Sequence, residues 1–168
     1  MSKVATVITD QFEDVEFTEP ADAIRQAGHE VVTIEKEAGK TVSGKHGEQV
    51  TIDQAIADVS PDDFDALLIP GGFSPDLLRE DERFVQFAKS FMDAKKPVFA
   101  ICHGPQLLIT AKALEGRHAT GYKSIRVDME YAGAHYTDEE VVVCGDQLVT
   151  SRQPDDIPAF NEALLKLL

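Results

Sequence analysis

Pro97-Val98-Phe99-Ala100-Ile101-Cys102-His103-Gly104-Pro105, running on into Gln106 to Ala113, reads as a short buried strand that turns at once into a helix. Small residues, Ala100 and Gly104, stand two positions either side of a nucleophile type, which is the form of a nucleophile elbow with Cys in place of Ser. The requirement is steric: a tight strand-to-helix turn forces the nucleophile into strained dihedrals, and larger flanking side chains would clash with it. The turn also sets sulfur at a helix N-terminus, where the dipole and free N–H groups are expected to lower a thiol pKa from about 8.5. Pro105 suits the first helical turn.

Working outward, Asp65 to Ile69 is a continuous apolar run that stops at Pro70-Gly71-Gly72, as a central parallel strand does at its carboxyl end. Val4 to Thr9 forms a β-branched strand, followed by the polar cluster Asp10, Gln11, Glu13, Asp14 and a helical segment stopped by Gly28. His29 to Glu35 restarts a strand, giving a βαβ opening. Residues 36 to 53, with Gly39, Gly44 and Gly47, predict a small hairpin or edge excursion. Asp81 to Ala94 has helical spacing of Phe84, Phe87, Ala88 and Phe91; His118 to Tyr122, Val141 to Cys144 and Gln147 to Ser151 read as further strands; Pro154 to Leu168 closes as a helix. The pattern predicts one domain over 1–168, an α/β three-layer, doubly wound sandwich whose ligands meet the carboxyl ends of its strands. The turns at Asp10 to Asp14, Gly71 to Asp76 and Cys102-His103 should therefore open on one edge.

The chain has 168 residues, 43% hydrophobic and 27% charged, which fits a single soluble core. A net charge of −14 excludes nucleic acid and anionic lipid as expected partners. No apolar stretch approaches the roughly 20 residues of a membrane span, and Met1 leads straight into a strand without a cleavable signal, so a cytoplasmic location is expected. His29, His46, His118 and His135 lack metal-ligand spacing, and neither a P-loop nor G-x-G-x-x-G occurs, so neither a metal nor a nucleotide cofactor is expected.

Cys144, at the end of a Val-Val-Val run, reads as a buried packing thiol. His103, adjacent to Cys102, has the chemistry of a general base, and its orienting carboxylate would come from Glu13, Asp14 or Asp76 on neighbouring turns. The backbone of Pro70-Gly71-Gly72, with the N–H after the nucleophile, could face a developing oxyanion.

Ala100 to Pro105, Asp65 to Gly72 and Gln11-Phe12-Glu13-Asp14, together with Gly44 to Gly47 and Thr150-Ser151-Arg152, resemble the PfpI intracellular protease family along essentially the whole chain, on the side of its bacterial general stress proteins. The resemblance implies a mostly parallel, flavodoxin-like sheet of the glutamine amidotransferase-like type. It implies Cys102 as nucleophile, His103 as its partner, and Glu13 as a protonated carboxyl bonded to the sulfur. The oxyanion donors would be the backbone of Gly72 and His103, and Tyr122 would lie in the substrate pocket. In the archaeal proteases of the family a Glu from the neighbouring subunit completes the triad; Asp76 holds that position here, one methylene shorter. Dimers or hexamers with a site at the interface are implied, with Phe12, Phe17 and Gly44 to Gly47 as interface candidates.

The function so implied is a stress-related hydrolase of reactive carbonyls, or of their adducts on proteins, that needs no cofactor. A cysteine peptidase is the alternative within the enzymes, and a redox sensor or stress chaperone working through oxidation of Cys102 is the alternative outside them. A glutaminase is disfavoured because neither His118 nor His135 begins a His-x-Glu pair, and a phosphoacceptor domain because Pro70-Gly71 stands where its Asp would.

Overall fold

The apolar runs stack side by side in the computed structural model, which describes residues 1–168. The strands are β1 (Lys3–Val7), β2 (Glu30–Glu35), β3 (Thr41–Ser43), β4 (Gln49–Thr51), β5 (Gln54–Ala55), β6 (Ala66–Ile69), β7 (Val98–Ile101), β8 (His118–Ala119), β9 (His135–Tyr136), β10 (Val142–Cys144) and β11 (Leu148–Ser151). The helices are α1 (Asp14–Gln26), α2 (Ser74–Leu78), α3 (Glu82–Asp93), α4 (Pro105–Thr110), α5 (Arg126–Tyr131) and α6 (Ile157–Leu165). Seven strands form one sheet in the order β10-β11-β7-β6-β1-β2-β5. All its pairings are parallel except β10 with β11. The run β2-β1-β6-β7-β11 is the 2-1-3-4-5 order of a flavodoxin-like sheet, as expected.

Side-chain alternation splits the core in two. Leu67, Ile69, Val98 and Ala100 face the α3 and α4 layer, with Phe84, Phe91 and Leu107. Ala66, Leu68, Phe99 and Ile101 face the other layer, with Phe17 and Ile24 of α1 and Phe160 of α6. Each buried Val, Leu, Ile or Phe among these contributes roughly 1.5–3 kcal/mol of transfer free energy, so the short strands β6 and β7 are held by both faces. Gly28, at φ +93°, ends α1 as the sequence predicts.

Several expectations are corrected. The strand expected over His118 to Tyr122 stops at Ala119 and pairs with β9 in a separate two-stranded sheet. Its last residues turn toward the elbow instead, where Tyr122 N–H donates to Cys102 O at 2.9 Å. The helix expected over Gln106 to Ala113 ends at Thr110, and Lys112 adopts φ +56°. The excursion over residues 36 to 53 is the antiparallel hairpin β3–β4, trailed by the edge strand β5. Phe12 and Phe17 are buried and meet edge to face with centroids 6.0 Å apart, so in this chain they are core residues.

Candidate active site

Three turns meet at the carboxyl edge of the sheet, after β1, β6 and β7. Phe12 bridges Gly72, Glu13 N–H donates to Gly71 O at 3.2 Å, and Phe73 N–H donates to Gln11 O at 2.8 Å. Gly72 has φ +75°, and a Cβ there would strike the backbone of Gln11 and Glu13, so a side chain is excluded on two counts. At the third turn Cys102 itself adopts φ +62°. A non-glycine residue in that region carries strain of order 1–3 kcal/mol. The surroundings enforce it: Cys102 N–H donates to Ser151 O at 2.9 Å while its carbonyl receives Tyr122 N–H. A Cβ on Gly104 would run into the carbonyls of Ile69 and Ile101, the steric reason the elbow needs a small residue there.

The cleft above the sulfur has a volume of about 630 Å³, and its walls include Glu13, Lys45, Gly72, Cys102, His103 and Tyr122. All six sequence-predicted site residues, Asp76 among them, line it. Their contacts differ from the expectation in two places.

The first concerns the carboxyl at the sulfur. Glu13 stands before α1 and turns to the hairpin, where its Oε2 receives Lys45 Nζ at 3.0 Å and its Oε1 lies 3.3 Å from His46 Nε2. Glu16, on the next turn and completely buried, faces inward instead. Its Oε1 accepts Gly71 N–H at 3.0 Å, its Oε2 is buried without a hydrogen-bond partner, and the Cys102 thiol is a close neighbour of the carboxyl. Burial, reinforced by the charge on Glu13, pushes the Glu16 carboxyl up to about 8, so at neutral pH it holds its proton. The role expected of Glu13 thus falls geometrically to Glu16. One signal in the sequence marks it: Phe17, Ala21 and Ile24 set the buried stripe of α1, and Glu16 and Pro20 lie on the same face.

The hairpin that carries Lys45 is clamped to the start of α1. The Asp14 carboxylate accepts the N–H of both His46 and Glu48 at 2.9 Å, and Gly44 packs against it with no room for a Cβ. Asp14 is therefore a hairpin anchor and not an orienter of His103. Burial acting alone would raise its pKa, but those backbone donors hold it below the usual carboxylate range.

Burial pushes the Cys102 thiol up, and a charged Glu16 would push it further; the backbone N–H groups of Gly72 and His103 act on the sulfur in the opposite direction. The lowering expected from the helix end is outweighed by this burial. Cys102 and Glu16 titrate as a pair in which two anions are disfavoured. A single anion placed on sulfur has two N–H donors and a protonated carboxyl around it.

The second difference concerns His103. Its Nδ1 lies 3.3 Å from Cys102 Sγ, its Nε2 lies 3.2 Å from Ser124 Oγ, and its ring stacks on Tyr122 with centroids 5.1 Å apart. Burial and the positive charge of Lys45 push its pKa below the ordinary value, against an opposing pull from Asp76. Asp76 makes no hydrogen bond to His103 within this chain; its Oδ1 takes both Nε and Nη2 of Arg79, at 3.1 and 2.8 Å. Ser124 was not foreseen because it lies 21 positions from His103, in no motif.

Cys144 is half-buried and not a core thiol. Arg117 Nε and His118 N–H approach its sulfur at 3.3 and 3.4 Å. Burial alone would raise this thiol; the Arg117 guanidinium and the His118 N–H together bring it below its ordinary value.

A DJ-1/PfpI family model matches residues 2–167. General stress protein 18 of Bacillus subtilis (strain 168) is 71% identical over 167 residues, covering 99% of this chain and 97% of that protein. Protein/nucleic acid deglycase 2 of Escherichia coli (strain K12) is 63% identical, and "Putative cysteine protease YraA" of Bacillus subtilis (strain 168) 61%, each over 99% of this chain and 97% and 98% of the relative. Among solved structures, a ThiJ/PfpI domain protein from Brachyspira murdochii superposes with a TM-score of 0.92 at 28% identity, over 98% of this chain and 95% of that one. A two-domain protein from Anabaena variabilis with DJ-1/ThiJ/PfpI-like and ferritin-like domains superposes at 0.96 with 41% identity; the match covers 99% of this chain and 48% of that one.

Proposed function

The chain belongs to the DJ-1/PfpI family, and from that premise we propose that it is a stress-related hydrolase of reactive carbonyls or their protein adducts, with Cys102 as nucleophile. One observation carries the reading. Cys102 is held at φ +62° on the floor of a cleft, between a protonated Glu16 and two backbone N–H donors.

With methylglyoxal, sulfur adds to the aldehyde carbon as His103 Nδ1 takes the thiol proton and passes it to the new alkoxide oxygen, giving a hemithioacetal and a neutral imidazole. The N–H groups of Gly72 and His103 face its oxygen. Moving the proton on the former aldehyde carbon to the neighbouring keto carbon through His103, with the hydroxyl proton passing to the former keto oxygen, converts the hemithioacetal to a lactoyl thioester. Water then cleaves the thioester, returning the thiol and releasing lactate; the sum is methylglyoxal plus water. Tyr122, against the His103 ring, would shape the substrate wall.

The relative named deglycase supports glycated protein amines as a second form of the same substrate class. The net charge of −14 favours these and free carbonyls over polyanions. The relative named as a cysteine protease favours peptides as the second reading. Against it stands the absence of a carboxylate on His103 within the chain, since Asp76 is bonded to Arg79. We take the working form to be a homo-oligomer, dimer or hexamer, in the cytoplasm; no helix is long and apolar enough to cross a membrane.

The test is lactate formation from methylglyoxal by wild type, Cys102→Ser and Glu16→Gln at matched oligomeric state. Lactate from wild type that vanishes in Cys102→Ser supports the reading. A wild type that forms none, while a labelled peptide is cut, overturns it in favour of the peptidase.

A further inference from the structure

From the contacts around His103 we propose that Ser124 is the positioning residue of the site: its hydroxyl accepts His103 Nε2–H and so leaves the Nδ1 lone pair facing the Cys102 thiol. This rests on Cys102 being the nucleophile of the proposed function. The imidazole has two ring nitrogens, and each is engaged, Nδ1 by Sγ at 3.3 Å and Nε2 by Ser124 Oγ at 3.2 Å. A neutral ring that accepts a proton at Nδ1 must carry its hydrogen on Nε2, and the Ser124 hydroxyl, which can accept as well as donate, then takes the accepting role toward that hydrogen.

Ser124 is delivered to this place by the same backbone that closes the elbow. Tyr122 N–H donates to Cys102 O at 2.9 Å, and Tyr136 Oη donates to Gly121 O at 2.6 Å. Gly121 packs so closely on Met129 Sδ and Cys102 O that a Cβ would displace them. The 3₁₀ turn Lys123–Ile125 follows, with Ile125 buried, and it presents Ser124 at the rim. The strained residue and the orienting hydroxyl are thus parts of one hydrogen-bonded unit.

A hydroxyl differs from a carboxylate in what it does to the ring. It holds the ring at Nε2 without adding negative charge, so it does not stabilise imidazolium as a triad carboxylate does. The titratable and charged groups around the ring are Cys102 on its own turn, Glu13 before α1, Lys45 on the hairpin, Asp76 in α2 and Tyr122 below it. Of the charges among these, Lys45 opposes imidazolium and Asp76 favours it. His103 is therefore a neutral acceptor of the thiol proton at neutral pH.

The experiment is the pH profile of iodoacetamide alkylation at Cys102, read by mass spectrometry in wild type, Ser124→Ala and Ser124→Thr, with the ¹⁵N shifts of His103 recorded on the same samples. We expect Ser124→Ala to alkylate about fivefold more slowly near pH 7, the size of one lost neutral hydrogen bond, and its ¹⁵N shifts to move away from the Nε2–H tautomer. Ser124→Thr, which keeps the hydroxyl, should restore both. Superimposable profiles and unchanged ¹⁵N shifts in Ser124→Ala would overturn the proposal. Failure of the carbonyl-hydrolase reading would look different: no turnover of methylglyoxal in any variant, with the alkylation differences intact.

Discussion

Cys102 and Cys144 stand at the ends of two sheet strands, and their surroundings have opposite effects. At the end of β7, Cys102 is 7% exposed in a turn that strains its own backbone, and burial dominates its acidity. At the end of β10, sulfur is half-buried against the Arg117 guanidinium, which lowers its pKa while also donating to Cys144 O at 3.2 Å. Acidity and placement at the cleft are therefore separate properties in this protein. The more acidic thiol is not part of the cleft, and at the thiol that is, the two backbone N–H groups favour the anion against burial and Glu16.

The largest expected effect would break the comparison outright if it failed. Cys102→Ser should abolish lactate formation, by at least about 1,000-fold, whereas Cys144→Ser should leave it within about twofold; equal losses would mean the two thiols act together. Next in size is Gly104→Ala, whose Cβ meets two backbone carbonyls behind the elbow. It should cost about 3 kcal/mol in urea unfolding and remove activity through the turn, as overpacking against rigid backbone does.

Glu16→Gln sharpens the contrast through pH. A carboxyl whose folded pKa is raised from 4.5 to about 8 holds its proton more tightly in the folded state. Its contribution is complete below about 4.5 and lost as pH rises through about 8. Gln does not ionise, so the melting temperature of Glu16→Gln relative to wild type should climb from pH 5 to pH 8, bounded by about 5 kcal/mol. Glu13→Gln removes the ion pair to Lys45 on the hairpin and leaves the buried Glu16 carboxyl in place, so it should slow lactate formation less than Glu16→Gln; an equal or larger loss would return the expected role to Glu13. The smallest effect belongs to the second thiol: Arg117→Gln should slow alkylation of Cys144 about threefold at pH 8 and leave Cys102 unchanged.

Much of the site was legible because its constraints are local. The elbow at Ala100 to Pro105 and the glycine turn at Gly71-Gly72 are dictated by contacts within a few residues or between adjacent parallel strands, and sequence registers such sterics directly. Glu13 and Glu16 show where this ends. They are three positions apart, both acidic, both near the end of β1, and their difference is the rotation of α1 against the sheet. Glu16 lies on the face shared with Phe17 and Ala21, so packing carries it under Gly71, while Glu13 precedes the helix and meets a hairpin that is remote in sequence. The acidity of Cys144 was equally hidden, because Arg117, which reaches it, lies 27 positions away in the chain.

By itself the sequence determined a doubly wound α/β domain, a strained cysteine at its carboxyl edge and the glycines that make room for it. Periodicity and backbone sterics act over a few residues, and every sequence carries them. Only the tertiary structure decided which carboxyl backs the sulfur, that Ser124 and not a carboxylate meets His103 in this chain, and which thiol is the more acidic. Those outcomes depend on desolvation and on distances between groups brought together by packing, and neither is a property of any single stretch of chain.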